Sequence, residues 1–179
     1  MASIIKSNTY ADFNGREILT ADSNGALTTQ KINYPAFSAS LSANQTITDN
    51  TIVKINIDTE AFDTDNCYDN STNYRFTPTV AGKYVFYGNL RTSAGDDQNA
   101  STASYIYKNG SIAAQLQLHT HISSEAANIS AGNLIILDAN GSTDYFEFFG
   151  ICNDTSGNGV AVGSTLYPIT YFGAYRLGS

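Results

Sequence analysis

The sequence predicts an all-β sandwich or jelly roll, and three observations carry that expectation. Short apolar runs recur between turn signals through residues 35–179, and none sustains the 3.6-residue period of a helix. The chain holds 12 Tyr, 9 Phe and 14 Gly, with only 14% charged residues, a composition suited to rings packed between sheets. Its polar positions are mostly Ser, Thr and Asn, which serve strands and turns better than helices.

Residues 1–34 stand apart from the rest. Asn14-Gly15 and Asn24-Gly25 are hairpin signals, and the stretches flanking them predict three short strands. These strands carry too few large apolar residues to build a core. The segment therefore reads either as a flexible leader or as a docking arm that orders against a partner. From Pro35 onward, strands are predicted at 36–41, 51–58, 73–79, 83–91, 103–108, 112–122, 132–138, 144–151 and 166–177. Ala81-Gly82, Ala94–Asp97, Asn109-Gly110, Asn140-Gly141 and Thr155–Gly159 separate them. Gly82 is expected where the backbone turns and a Cβ would obstruct.

Several strands are apolar on both faces. Tyr145, Phe146, Phe148 and Phe149 cannot all enter one core, because side chains alternate across a strand. The same holds for Leu134–Leu137 and for Tyr171 and Phe172 with Tyr175. In a two-layer sandwich one face of each strand meets solvent, so the second set of rings needs a cover. A further copy of the chain is the simplest one. The aromatic residues expected to fill either the core or such an interface are Phe37, Tyr84, Phe86, Tyr145, Phe146, Phe148, Phe149, Tyr171 and Phe172.

From Ile57 onward a spaced pattern runs through Asp63, Tyr68, Phe76, Gly82, Tyr84 and Phe86. It resembles the signature of the complement 1q globular head, a relative of the tumour-necrosis-factor jelly roll. Pro35–Ala39 and Tyr171–Leu177 are similar to the opening and closing strands of that family. The sequence departs from the pattern at Ile57, where the family has Phe. It also has one extra residue between Tyr68 and Phe76, and Gly88 replaces the closing aromatic. The resemblance covers about residues 35–178. It implies a jelly roll that assembles as a homotrimer, with the short β-rich arm before it. Fold similarity alone does not imply an activity.

Net charge is −7, and the nine Lys and Arg are scattered singly, which argues against a nucleic-acid surface. No apolar run approaches the ~20 residues of a membrane span, so no membrane insertion is expected. The first residues lack the apolar centre of a secretion signal. Synthesis in a cytoplasm is therefore expected, with Cys67 and Cys152 as free thiols and the Asn-x-Ser/Thr triplets unglycosylated.

His119 and His121 alternate onto one face of a strand whose opposite stripe is Ile112, Ala114, Leu116 and Leu118. On a threefold axis they could ligate a metal ion, although a solvated or interface polar face is the favoured reading. Gly95–Asn99 has the oxygen ligands of a calcium turn without the spacing of one. The Gly-rich 155–163 stretch lacks a phosphate-cradle ending and reads as a long mobile loop. No residue pattern singles out a catalytic group, so the chain is expected not to be an enzyme and to need no cofactor beyond that candidate metal.

The arm is similar to the openings of small accessory virion proteins of tailed bacteriophages. The expectation is thus a trimeric virion surface protein, docked to other virion proteins through residues 1–34. Capsid decoration or a head fibre is favoured by the short arm, ahead of a tail fibre or receptor-binding component. A host surface glycan or protein is a candidate ligand. The alternative is a soluble lectin-like or innate-recognition module.

Overall fold

The computed structural model describes residues 9–11, 17–21, 27–28, 35–94, 99–120, 128–154 and 157–178. The chain divides into two compact units, Met1–Tyr34 and Pro35–Ser179. In the first, β1 (Thr9–Ala11), β2 (Glu17–Ala21) and β3 (Leu27–Thr28) form an antiparallel meander in the order β1-β2-β3. The two Asn-Gly pairs of the sequence fall between successive strands, where hairpin connections are expected.

The second unit is built from two antiparallel sheets. The strands are β4 (Ala36–Ser40), β5 (Gln45–Ile47), β6 (Val53–Lys54), β7 (Thr59–Asp63), β8 (Tyr68–Asp69) and β9 (Arg75–Phe76), followed by β10 (Gly82–Ser93), β11 (Asn99–Lys108), β12 (Ser111–Thr120), β13 (Asn128–Ala139), β14 (Phe146–Asp154), β15 (Gly159–Ala161) and β16 (Tyr171–Gly178). One sheet runs β5-β15-β10-β16-β4-β7, with β13 on the other side of β10. The other runs β12-β11-β14-β9-β8, with β6 also paired to β14. Strands adjacent in sequence often lie in different sheets, which is the jelly-roll crossing pattern.

Alternation decides which rings meet between the sheets. Phe37, Phe76, Tyr84, Phe86, Phe146, Phe148 and Phe172 are fully buried there, with Ile47, Ile55, Ile57, Leu90 and Ile106. Phe37 stacks on Tyr68 at 4.3 Å and on Phe76 at 4.7 Å, and Phe86 meets Phe146 at 4.2 Å. Each fully buried large side chain contributes roughly 1.5–3 kcal/mol, and the ring pairs add ~0.5–1.5 kcal/mol each.

The two buried tyrosines place their hydroxyls on backbone carbonyls. Tyr68 donates to Ile57 O at 2.8 Å and Tyr84 to Val80 O at 2.6 Å. Burial pushes the Tyr84 phenol up to about 12 and raises that of Tyr68 further, so both remain donors. Asp63, in the same spaced pattern, accepts the N–H of Tyr68 at 2.7 Å and that of Asp65 at 3.2 Å. The motif is thus a structural device: its carboxylate shapes the turn that delivers Tyr68 to the core.

Gly82 opens β10 with φ +146°, and a Cβ there would collide with the Gly178 carbonyl and the Arg176 side chain. Gly82→Val should lower stability by ~1–3 kcal/mol, read as a drop in melting temperature. An unchanged melting temperature would contradict this placement. A Cβ at Gly88 would meet the ring of Phe148, so Phe148 occupies the volume beside it.

The structure corrects several local expectations. The predicted strand 51–58 is reduced to β6, and 73–79 to β9; β5, β7 and β8 arise in stretches read as connections. β5, β6, β8 and β9 are two- or three-residue strands, below the length at which periodicity is legible, and the five residues of β7, Thr59–Asp63, do not alternate apolar with polar. The Gly-rich segment expected to be a loop contributes β15, which pairs with both β5 and β10. The single inward stripe expected on β12 is broken, because the β11–β12 register shifts at Ser104/Tyr105 and at Ile106/Tyr107. Bulges of this kind switch the face that a side chain takes. Leu116 enters the core, while Ile112 and Leu118 are 53% and 55% exposed.

Candidate interaction surfaces

Three antiparallel neighbours, β13, β10 and β16, set the outer face of the first sheet. Cross-strand partners share a face. Val85 is opposite Ile136 and Tyr175, Tyr87 is opposite Leu134 and Gly173, and Asn89 is opposite Tyr171. Because Tyr84 and Phe86 point into the core, this whole set points away from it. Leu134 is 58% exposed, Ile136 49% and Tyr175 45%.

Tyr87 is the centre of this surface. Its ring lies over Gly173, whose missing Cβ leaves the space. Tyr171 and Tyr175 flank it at 6.4 and 6.5 Å between ring centroids. Shallow clefts of about 230 and 250 Å³ open beside Tyr87 and Tyr171. Phe62 on β7 and Leu177 at the end of β16 extend the exposed apolar surface. At the sandwich edge nearest β13, β12 adds Ile112 and Leu118 and contains no Lys, Arg, Asp or Glu. Natural edge strands are commonly protected by charge; this one is not.

The nine rings expected in core or interface are distributed by alternation. Phe37, Tyr84, Phe86, Phe146, Phe148 and Phe172 lie in the core. Tyr171 lies on the outer face of the first sheet. Phe149 and Tyr145 lie on the outer side of the second, where Phe149 stacks on Tyr107 at 3.8 Å and Arg75 covers Tyr145 at 4.7 Å. Lys54 binds Glu147 at 2.5 Å beside Phe149, so this second set is closed by its own neighbours.

His119 is exposed on β12 opposite Thr102. His121 lies outside the described residues, as do residues 95–98 of the candidate calcium turn. Among the described residues no three His, Cys, Asp or Glu side chains gather as a metal site. Cys67 and Cys152 are buried free thiols, and burial raises both above the ordinary thiol value. They are consequently protonated and poorly nucleophilic at neutral pH. No helix among the described residues is long and apolar enough to cross a membrane.

A second, polar surface was not legible in the sequence. A cleft of about 540 Å³ opens between β7, the 64–67 connection and the β8–β9 turn. The Asp69 carboxylate holds one wall by accepting the N–H groups of Ser71, Thr72 and Asn73 at 3.0, 2.9 and 3.1 Å. These backbone bonds hold its pKa well below the usual carboxylate range. The turn-forming residues of Asp69–Asn73 bear on it in the sequence, but they do not distinguish this turn from others in an Asn-, Ser- and Thr-rich chain.

No family model matches this chain, and no curated protein sequence matches it. Solved structures do. Murine APRIL aligns with a TM-score of 0.56 at 9% identity, covering 81% of this chain and 100% of that one. The globular domain of zebrafish complement 1qA protein aligns at 0.53 with 12% identity, covering 80% and 97%. Eiger TNF from S. frugiperda aligns at 0.53 with 10% identity, covering 82% and 92%. The fold is therefore the jelly roll shared by the tumour-necrosis-factor and complement 1q proteins.

Proposed function

We propose that this chain is a non-enzymatic, homotrimeric virion surface protein of a tailed bacteriophage, with residues 1–34 docking it to other virion proteins and the jelly-roll unit displayed. Capsid decoration or a head fibre is the favoured placement, followed by a tail fibre or receptor-binding component. The observation that carries the assembly is the exposed tyrosine face around Tyr87, together with the apolar edge at β12, which carries no Lys, Arg, Asp or Glu. These are two different patches on one copy. Seating the edge of one copy on the face of the next is a heterologous contact, and such contacts close into a ring when the rotation permits. The fold's resemblance to trimeric heads supports three copies.

The virion role draws on the sequence of the arm and on the division of the chain at Tyr34. A short meander with few large apolar residues cannot offset ~1–2 kcal/mol of ordering entropy per residue by itself, so it favours docking by strand addition. The second reading, a soluble lectin-like module, draws on the polar cleft.

Purified phage particles should contain the protein in a copy number divisible by three. A chain starting at Tyr34 should fold and assemble yet fail to attach to particles lacking the protein. Attachment equal to that of the full chain would place docking in the jelly roll and overturn the division of labour.

A further inference from the structure

The geometry points to the β7–β9 cleft as a binding site for neutral saccharides, one or a few sugar residues in extent. This rests on the reading of the jelly-roll unit as the displayed, ligand-facing part of the protein.

This protein spends many of its polar side chains on its own backbone and ion pairs. Asp58, Asp63, Asp69, Asp144 and Asn140 each accept backbone N–H groups of turns and connections. Glu147 and Asp138 are held by lysines. Around the cleft the pattern reverses. The side chains of Glu60, Asn66, Asn70, Arg75 and Thr77 line it, and among the described residues none of them makes a hydrogen bond or ion pair with the protein. Arg75 is half-buried on β9 and rests its guanidinium on the Tyr145 ring, a stack that orients the planar group while leaving its N–H donors unspent.

The walls are fixed independently of these groups. Asp69 ties the 70–73 turn, Asp63 ties the 64–68 connection, and the Thr77 N–H bonds Cys67 O at 2.8 Å. The cleft is thus preformed, which reduces the ordering cost of binding. Its volume of about 540 Å³ falls within the ~300–1,000 Å³ of small-molecule sites.

Chemistry selects the ligand class. Most small-molecule pockets are apolar, whereas this lining is almost wholly polar, so the ligand must be polar over its whole surface. Glu60 opposes a phosphate, sulfate or nucleic acid. Arg75 opposes a bare cation. A guanidinium, two amides, a hydroxyl and a carboxylate together supply donors and acceptors to a neutral, hydroxyl-rich ligand, with each spent group matched rather than buried unpaired. No shared residue links this cleft to the tyrosine face.

The test uses the full chain with methyl glycosides of glucose, galactose, mannose and the N-acetylhexosamines, read by saturation-transfer NMR and calorimetry. At least one neutral sugar should bind, and Glu60→Gln and Arg75→Ala should each weaken it at least tenfold. Asn70→Ala, at an exposed turn, guards against an Arg75 variant that simply unfolds, and should weaken binding with the melting temperature unchanged. Absence of binding by every neutral sugar overturns the proposal. So does binding undiminished by all three variants, or binding confined to glucuronic acid, N-acetylneuraminic acid or inorganic phosphate. Sedimentation of the same samples reports assembly separately: a monomer that binds sugar would overturn the trimer and leave the cleft, and a trimer that binds none would do the reverse.

Discussion

Phe148→Asp should abolish folding, while Phe149→Asp, one residue along the same strand, should leave a folded protein. Phe148 is fully buried and lies 5.6 Å from Phe172 in a stacked pair. A carboxylate there would have no partner in an interior lined by Phe, Leu and Ile. Loss of the ring costs ~3–5 kcal/mol as a cavity, and an unpaired buried acid adds several more. Domain stability is only ~5–15 kcal/mol in total, so the sum exhausts most or all of it. Phe149 points the other way. Its replacement forfeits the Tyr107 stack, worth ~0.5–1.5 kcal/mol, and leaves the new carboxylate in reach of solvent. Circular dichroism and thermal melting of the two variants side by side check this. A folded Phe148→Asp protein beside an unfolded Phe149→Asp one would invert the assigned faces of β14, and equal damage from both would contradict the exposure assigned to Phe149.

That contrast marks what the sequence could and could not specify. Rings on both faces of 145–149 announced that one set would lie outside the core, but not which. The assignment depends on register, and register on this sheet is set by pairing across distant strands, such as Phe146 with Phe76 and Lys108. The β10 segment was legible because it is long and alternates without interruption, and because Gly82, Tyr84 and Phe86 belong to a spaced family pattern. The β12 segment misled for a physical reason. Its alternation is regular in sequence, but two register shifts against β11 rotate Leu118 out of the expected stripe. Bulges leave no mark on a hydrophobicity pattern.

Functional surfaces were unevenly legible. The excess of apolar side chains at 134–137 and 171–175 pointed to an uncovered face, since it could not be absorbed by one core. The sequence did not show that Tyr87 would stand at its centre, because that depends on β13 and β16, both far along the chain from β10, flanking it on its two sides. The polar cleft was invisible for the opposite reason. Asn, Ser, Thr and Asp are abundant throughout, and only the hydrogen-bond pattern separates those that cap turns from those that face a ligand.

Leu134→Asp combined with Ile136→Asp should convert the assembled protein into a folded monomer. Both side chains are about half exposed or more in a single copy, at 58% and 49%, and neither fills the space between the sheets. Charges placed there remain hydrated in the isolated unit, where surface substitutions typically change stability by no more than ~0.5 kcal/mol. In a closed ring the same two carboxylates would be desolvated at every interface, against a β12 edge of the next copy that contains no Lys or Arg. Each buried, unpaired charge costs several kcal/mol, and rotational symmetry repeats the penalty in every copy. Loss of assembly should therefore far exceed loss of fold. Sedimentation velocity at micromolar concentration should show the wild-type chain as a trimer and the double variant near the 19.2 kDa of one chain, with matching circular dichroism. Three outcomes would each remove the tyrosine face from the assembly: a wild-type chain that is itself a stable monomer, a double variant that still assembles, or a variant that loses its fold together with its partners. The first would leave Tyr87, Tyr171 and Tyr175 as an exposed ligand surface, and the last would assign Leu134 and Ile136 to the core.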